Sequence, residues 1–117
     1  MAYDEDLAER VRELLATEPD LSEKRMFGGL AFLLGGHMAL AVSGQGGIMV
    51  RVGAAQTDEL IAAGPAQPVE MGERTMGGWV RVGAEHLTTE RRLSRWVQLG
   101  VGQARSLASK TAQTRRR

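Results

Sequence analysis

Leu30-Ala31-Phe32-Leu33-Leu34-Gly35-Gly36-His37-Met38-Ala39-Leu40-Ala41-Val42-Ser43-Gly44-Gln45-Gly46-Gly47-Ile48-Met49-Val50-Arg51-Val52 is the stretch that decides the fold. Short apolar runs alternate with glycine-rich breaks. That pattern indicates a meander of strands rather than helices. It begins at Glu23, and it predicts strands near 23–27, 30–34, 37–43 and 47–52. Gly35-Gly36 suits a two-residue hairpin turn, because glycine reaches positive φ at little steric cost. The Ser43-Gly44-Gln45-Gly46-Gly47 stretch supplies the next turn. Side chains along a strand alternate between faces. On that rule Met38, Leu40 and Val42 share one face of the third strand. In the fourth, Ile48, Val50 and Val52 share a face, and Met49 and Arg51 point the other way.

Working outward, residues 4–17 read as a helix, with Leu7, Val11, Leu14 and Leu15 on one stripe. Asp4 is the expected N-cap, Glu5 and Asp6 suit the positive end of the helix dipole, and Asp6 can pair with Arg10. Pro19 closes the segment. Residues 55–63 suit a short helix with Leu60 and Ile61 inward, ended by Gly64-Pro65. Strands follow near 67–71 and 78–83. Thr89 then caps a long helix, about 90–109, with Leu93, Trp96, Val97, Gly100, Ala104 and Leu107 on one stripe. Gly100 and Gly102 each weaken it by roughly 1 kcal/mol relative to alanine. The expected class is α+β: an antiparallel sheet of about six strands with an N-terminal, a short middle and a long C-terminal helix. Residues 1–110 form the domain, and 111–117 a disordered basic tail.

A short echo runs through the pattern. Gly46-Gly47-Ile48-Met49-Val50-Arg51-Val52-Gly53-Ala54 resembles Gly77-Gly78-Trp79-Val80-Arg81-Val82-Gly83-Ala84. Each copy follows a glycine pair and precedes a helix, as if one strand-into-helix solution were used twice. If the valines face the helices, Met49, Arg51, Trp79 and Arg81 lie together on the opposite sheet face. A face mixing large apolar residues with arginine has the composition of an interface. It is also what two snorkelling arginines over stray apolar area would give.

A chain of 117 residues, 43% hydrophobic and 25% charged, is long enough for one buried core and too short for two domains. No run reaches the length of a membrane span. Asp4, Glu5 and Asp6 are the wrong chemistry for a signal peptide, and cysteine is absent, so the expected compartment is the cytoplasm. The net charge of +1 is uneven. Lys110 to Arg117 carries four basic residues, leaving residues 1–109 with 11 basic against 14 acidic residues, a net −3. A nucleic-acid binder usually has a basic body. Basic residues do gather late, at Arg91, Arg92, Arg95, Arg105, Lys110 and Arg115 to Arg117. They read as a solvated helix face or as a salt-sensitive hold on phosphate.

No catalytic constellation assembles. His37 and His86 lack the neighbouring ligands of a metal site. Ser43 misses both glycines of a nucleophile elbow. Gly44-Gln45-Gly46 runs into a strand rather than the helix that a dinucleotide fingerprint needs. Glu70 and Glu73 on a turn are a weak sign of acid–base chemistry. Neither cofactor nor metal is expected. The most distinctive segment is Arg25-Met26-Phe27-Gly28-Gly29, two large apolar residues running into a glycine pair. By spacing alone it is a strand and a tight turn.

With that segment the chain resembles the TfoX/Sxy N-terminal domain family, named for bacterial regulators of natural competence. Arg25-Met26-Phe27-Gly28-Gly29 follows an acidic amphipathic helix. Gly36-His37-Met38, the Val50-Arg51-Val52 strand, Met76-Gly77-Gly78-Trp79 and a last helix around Trp96-Val97 continue the likeness over about residues 3–110. It implies an α+β domain of helices on an antiparallel sheet, and it implies no catalytic residues. The competence regulators carry a second, helical domain, for which this chain has no room. The expectation is therefore a non-enzymatic regulatory or adaptor domain, serving bacterial transcriptional regulation, that binds another protein or a second copy of itself. Its candidate contacts are Arg25, Met26, Phe27, Gly28, Gly29, Met49, Arg51, Trp79 and Arg81. The alternatives are a nucleic-acid module using the last helix and tail, or a small-molecule site or enzyme around Arg25, Phe27 and His37.

Overall fold

In the computed structural model the glycine-punctuated runs are strands. It describes residues 3–26, 28–71 and 74–115, with side chains at all of these except 71, 74–76 and 108–115. The order is α1 (Glu5–Leu14), β1 (Leu21–Met26), β2 (Gly29–Leu34), β3 (His37–Val42), β4 (Ile48–Arg51), α2 (Ala54–Ala63), β5 (Gln67–Met71), β6 (Arg74–Val82), a 3-10 turn (Ala84–His86) and α3 (Glu90–Arg115). The strands form one six-stranded antiparallel sheet, ordered β1-β2-β3-β4-β6-β5.

Alternation decides which face the helices cover. Leu30, Phe32, Leu34, Leu40, Val42, Ile48, Val50, Val80 and Val82 are all buried in one cluster. α1 adds Leu7, Ala8 and Val11 to it, and α3 adds Leu93, Trp96, Val97 and Ala104. Leu60 and Ile61 of α2 are half-buried against the same cluster. The Asp4 side chain accepts from the Leu7 amide at 3.1 Å, and the Thr89 hydroxyl accepts from the Arg92 amide at 3.2 Å. Both caps satisfy amides that the first helical turn leaves without a carbonyl.

Gly100 has a packing reason to sit in mid-helix. A Cβ there would fall on the Ala39 carbonyl oxygen, so α3 lies directly against the backbone of β3. Two arginine clasps close the outside. Arg12 of α1 donates to both carboxylate oxygens of Glu23 on β1, at 2.6 and 2.9 Å, and pairs with Glu9. Arg105 of α3 donates to Asp20 at 2.6 Å and to Glu18 at 2.9 Å, holding the α1–β1 connection. That hydrogen bond from Arg105 holds the Asp20 carboxyl below the usual aspartate range.

Three details correct the reading from sequence. The β2–β3 register shifts between Phe32 and Leu33, so Leu33 stands opposite Met38. This bulge moves Met38 off the Leu40 and Val42 face. Second, α3 continues past residue 109 to Arg115, since no glycine or proline interrupts 110–115. Helical backbone therefore reaches well into the stretch expected to be a disordered tail. Third, Arg10 does not pair with Asp6. It donates instead to the Leu87 carbonyl at 2.7 Å, joining α1 to the connection between the 3-10 turn and α3.

Candidate interaction face

The side of the sheet away from the helices is built by register. Ala31 stands opposite Ala41, Ala41 opposite Met49, Met49 opposite Arg81, and Arg51 opposite Trp79. Each cross-strand pair shares a face, so these residues form one continuous surface. Met26 joins it, because its partner Gly29 lies next to Leu30 on β2 and takes the opposite parity. Met38 arrives through the bulge. The Val-Arg-Val strands thus orient as their alternation predicts, with valines under the helices and Met49, Arg51, Trp79 and Arg81 on the open side.

The echo accounts for the pairing. Arg51 and Arg81 are equivalent in the two copies, as are Met49 and Trp79. Antiparallel pairing then sets each large apolar residue against the other copy's arginine. The two exits from the strands match as well. Gly53 begins α2 with φ −65° and ψ 142°, and Gly83 begins the 3-10 turn with φ −69° and ψ 152°. Thr57, buried in α2, accepts from the Gly78 amide at 3.1 Å and so anchors the approach to Trp79.

At the centre of this face is an apolar hollow of about 150 Å³. Met26, Met38, Met49, Val69, Trp79 and the backbone of Gly29 line it, with Ser43 at one side. Beside it a broader trough of about 910 Å³ shares Ser43, Met49 and Val69 and adds Gln67, Glu70, Arg81 and Glu85. The Arg51 guanidinium lies 5.8 Å from the Trp79 ring centroid. Arg81 donates to Gln45 Oε1 at 2.8 Å and to the Gly46 carbonyl at 3.4 Å, which fastens the β3–β4 turn over the trough. Both of those acceptors are neutral. Among the described residues neither arginine has a carboxylate partner, whereas Arg12 and Arg105 each have two.

The structure sorts the sequence candidates. Met26, Gly29, Met49 and Trp79 meet in the hollow, so the Arg-Met-Phe-Gly-Gly segment and the echo converge on one place. Arg51 and Arg81 flank it. Gly29 is there for a steric reason, since a Cβ would strike the Val42 carbonyl oxygen, and Gly28 makes the turn at φ +74°. Arg25 does not join the group. It pairs with Leu30, on the helix-side parity, and is exposed on the edge strand. Phe27 lies outside the described residues, as does Glu73. Met38, Val69 and Ser43 are contributors that sequence reading did not select. Ser43 Oγ accepts from the Gln45 amide at 3.1 Å, a turn-forming role.

Arg25 and His37, the described residues of the small-molecule alternative, do not meet. Arg25 and His37 stand opposite Leu30 and Leu34 respectively, about 13 Å apart along the strand at ~3.3 Å per residue. No group of three or more metal-ligating side chains occurs among the described residues. Arg105, one of the late basic residues, is occupied by Asp20 and Glu18. No helix among the described residues is long and apolar enough to cross a membrane.

These features define an α+β domain whose three helices leave one face of a six-stranded sheet open. The model of the TfoX N-terminal domain matches residues 13–104, and the chain belongs to that family. No curated protein and no solved structure shows a match to it.

Proposed function

We propose that this chain is a non-enzymatic regulatory or adaptor domain that binds another protein through the open face of its sheet, in transcriptional control in a bacterial cytoplasm. The observation behind this reading is the half-buried Met49 and Trp79 pair, set beside two arginines without carboxylate partners on the uncovered side of the sheet. Fully burying a large apolar side chain is worth roughly 1.5–3 kcal/mol, so a partner that covers Trp79 and Met49 gains part of that from each. Trp, Met and Arg are also the residues that concentrate at protein interfaces. Methionine adapts to the shape of what it meets. The family membership supports a regulatory role.

Trp79→Ala combined with Met49→Ala tests it. Capture from a host lysate on wild type and on the double variant, beside melting curves of both, reads binding and fold separately. The double variant should keep a cooperative melt and lose the proteins that wild type retains. Equal capture by both would place binding elsewhere. If the variant simply unfolds, Trp79 serves the core.

A further inference from the structure

The reading just given leaves the chemistry of the partner open, and the following rests on it. We propose that the open face docks an acidic segment of a partner protein, with one large apolar side chain of that segment seated in the hollow between Met26, Met38, Met49 and Trp79.

Charge is the first support. Arg12 and Arg105 each satisfy two carboxylates, whereas among the described residues the two arginines of the open face satisfy none. Arg51 and Arg81 are left facing an aromatic ring and two neutral oxygens, on the same face and diagonal to each other across the β4–β6 pair. A guanidinium presents donors that fit a carboxylate in pairs, and against an apolar floor that contact is stronger than in open water. Size is the second support. A hollow of about 150 Å³ takes one aliphatic or aromatic side chain and is too small for a helix or a drug-sized ligand.

The sheet edges settle how the partner approaches. β1 presents Ser22, Glu23, Lys24 and Arg25 at one edge, all exposed, and β5 carries Pro68 at the other. Charged and proline-bearing edges discourage an added strand. The partner therefore lies across the face and does not extend the sheet. A second copy of this chain fits less well. A two-fold contact on this face would bring two copies of Arg51 and two of Arg81 into one interface. Glu70 and Glu85 share the trough with Arg81, and among the described residues no carboxylate lines the hollow.

The test uses full-length protein labelled with 13C at the methionine methyls. It is titrated with three short synthetic peptides: leucine flanked by glutamates, leucine flanked by lysines, and alanine flanked by glutamates. The glutamate–leucine peptide should shift the Met26, Met38 and Met49 methyls and the Trp79 indole, leave the buried Trp96 indole in place, and lose affinity as salt rises. The other two peptides should bind at least about tenfold more weakly. Arg51→Gln with Arg81→Gln should cost about tenfold for the acidic peptide while leaving the melt cooperative. Arg51→Gln alone, which leaves the Arg81–Gln45 fastening intact, should cost part of that.

Equal binding of the lysine peptide, or no effect of either arginine variant, overturns the acidic partner. Methyl shifts on dilution of the protein alone would give the face to a second copy, overturning this inference while keeping the protein-binding reading. If the methyls respond neither to any peptide nor to dilution, both fall.

Discussion

Replacing Gly100 with alanine should destabilise this protein, although helix propensity alone says the opposite. Alanine is favoured over glycine inside a helix by ~1 kcal/mol. Against that, the added methyl would land on the Ala39 carbonyl oxygen, with the Ala39 carbonyl carbon at 3.0 Å and Val50 Cγ1 at 3.4 Å. The obstacle is strand backbone in the middle of the sheet, which cannot turn aside as a flexible side chain would. Overpacking of that kind costs about 1–3 kcal/mol, and a backbone obstacle belongs at the upper end. The balance is a loss of about 2 kcal/mol, or a fall in melting temperature of about 8 °C. Gly102 is the internal control. It lies two residues further along the same helix, is exposed, and has nothing within 4 Å of where a Cβ would stand. Gly102→Ala should therefore gain about 0.5–1 kcal/mol and raise the melting temperature by about 2–4 °C. Urea and thermal unfolding of both variants and the wild type measure the contrast. If Gly100→Ala is stabilised as much as Gly102→Ala, α3 does not lie on the backbone of β3 and the packing argument is wrong.

The Arg105–Asp20 clasp gives a pH signature. Because the Asp20 carboxyl is held low in the folded state, its contribution is present above the ordinary aspartate range and lost as pH falls through the depressed folded value. Asp20→Asn should therefore lower stability at neutral pH, and the difference from wild type should close below about pH 4. Unfolding curves across that range would read it, and a difference that persists in acid would count against the pairing. Deleting Thr111 to Arg117 should leave the melting temperature nearly unchanged, since residues 110–117 include no large apolar side chain; a large drop would mean that the end of α3 docks. Elemental analysis of untagged protein should find no stoichiometric transition metal, and a full-occupancy zinc on His37 and His86 would contradict the sequence reading.

Much of the fold was legible because local chemistry and global packing agree. Asp4 and Thr89 cap where expected, and the glycine-bounded runs of 30–52 are strands. The face assignment of Met49, Arg51, Trp79 and Arg81 followed from alternation alone, since β4 pairs with β6 without a register shift at these positions. Met38 was misplaced because a bulge adds one residue to β3, and one residue reverses parity. The extra residue is Ala39, whose carbonyl lies against Gly100 of α3, and no local pattern announces it. Arg25 was grouped with Met26 by motif, yet neighbours on a strand point to opposite faces. Alternation applied to that segment would have separated them. The arginine clasps join residues 11 and 85 or more positions apart, and sequence spacing carries no sign of such pairs.

The strand order also bears on how the chain reaches its native state. β1 through β4 pair in sequence order, and β5 pairs with β6, its neighbour in sequence. Only the β4–β6 join is distant, bringing Val50 to Val80 across α2 and β5. Closing a loop costs chain entropy that grows with its length, and long-range pairings slow folding for that reason. Among the strand pairings, the long-range step is thus confined to one seam between two halves of the sheet. Arg51 against Trp79 and Met49 against Arg81 are the pairs that straddle this seam, so a nascent chain still missing β6 has no finished surface to offer. The candidate interaction face comes into being only when the two halves of the sheet are joined, which ties recognition to the completion of folding.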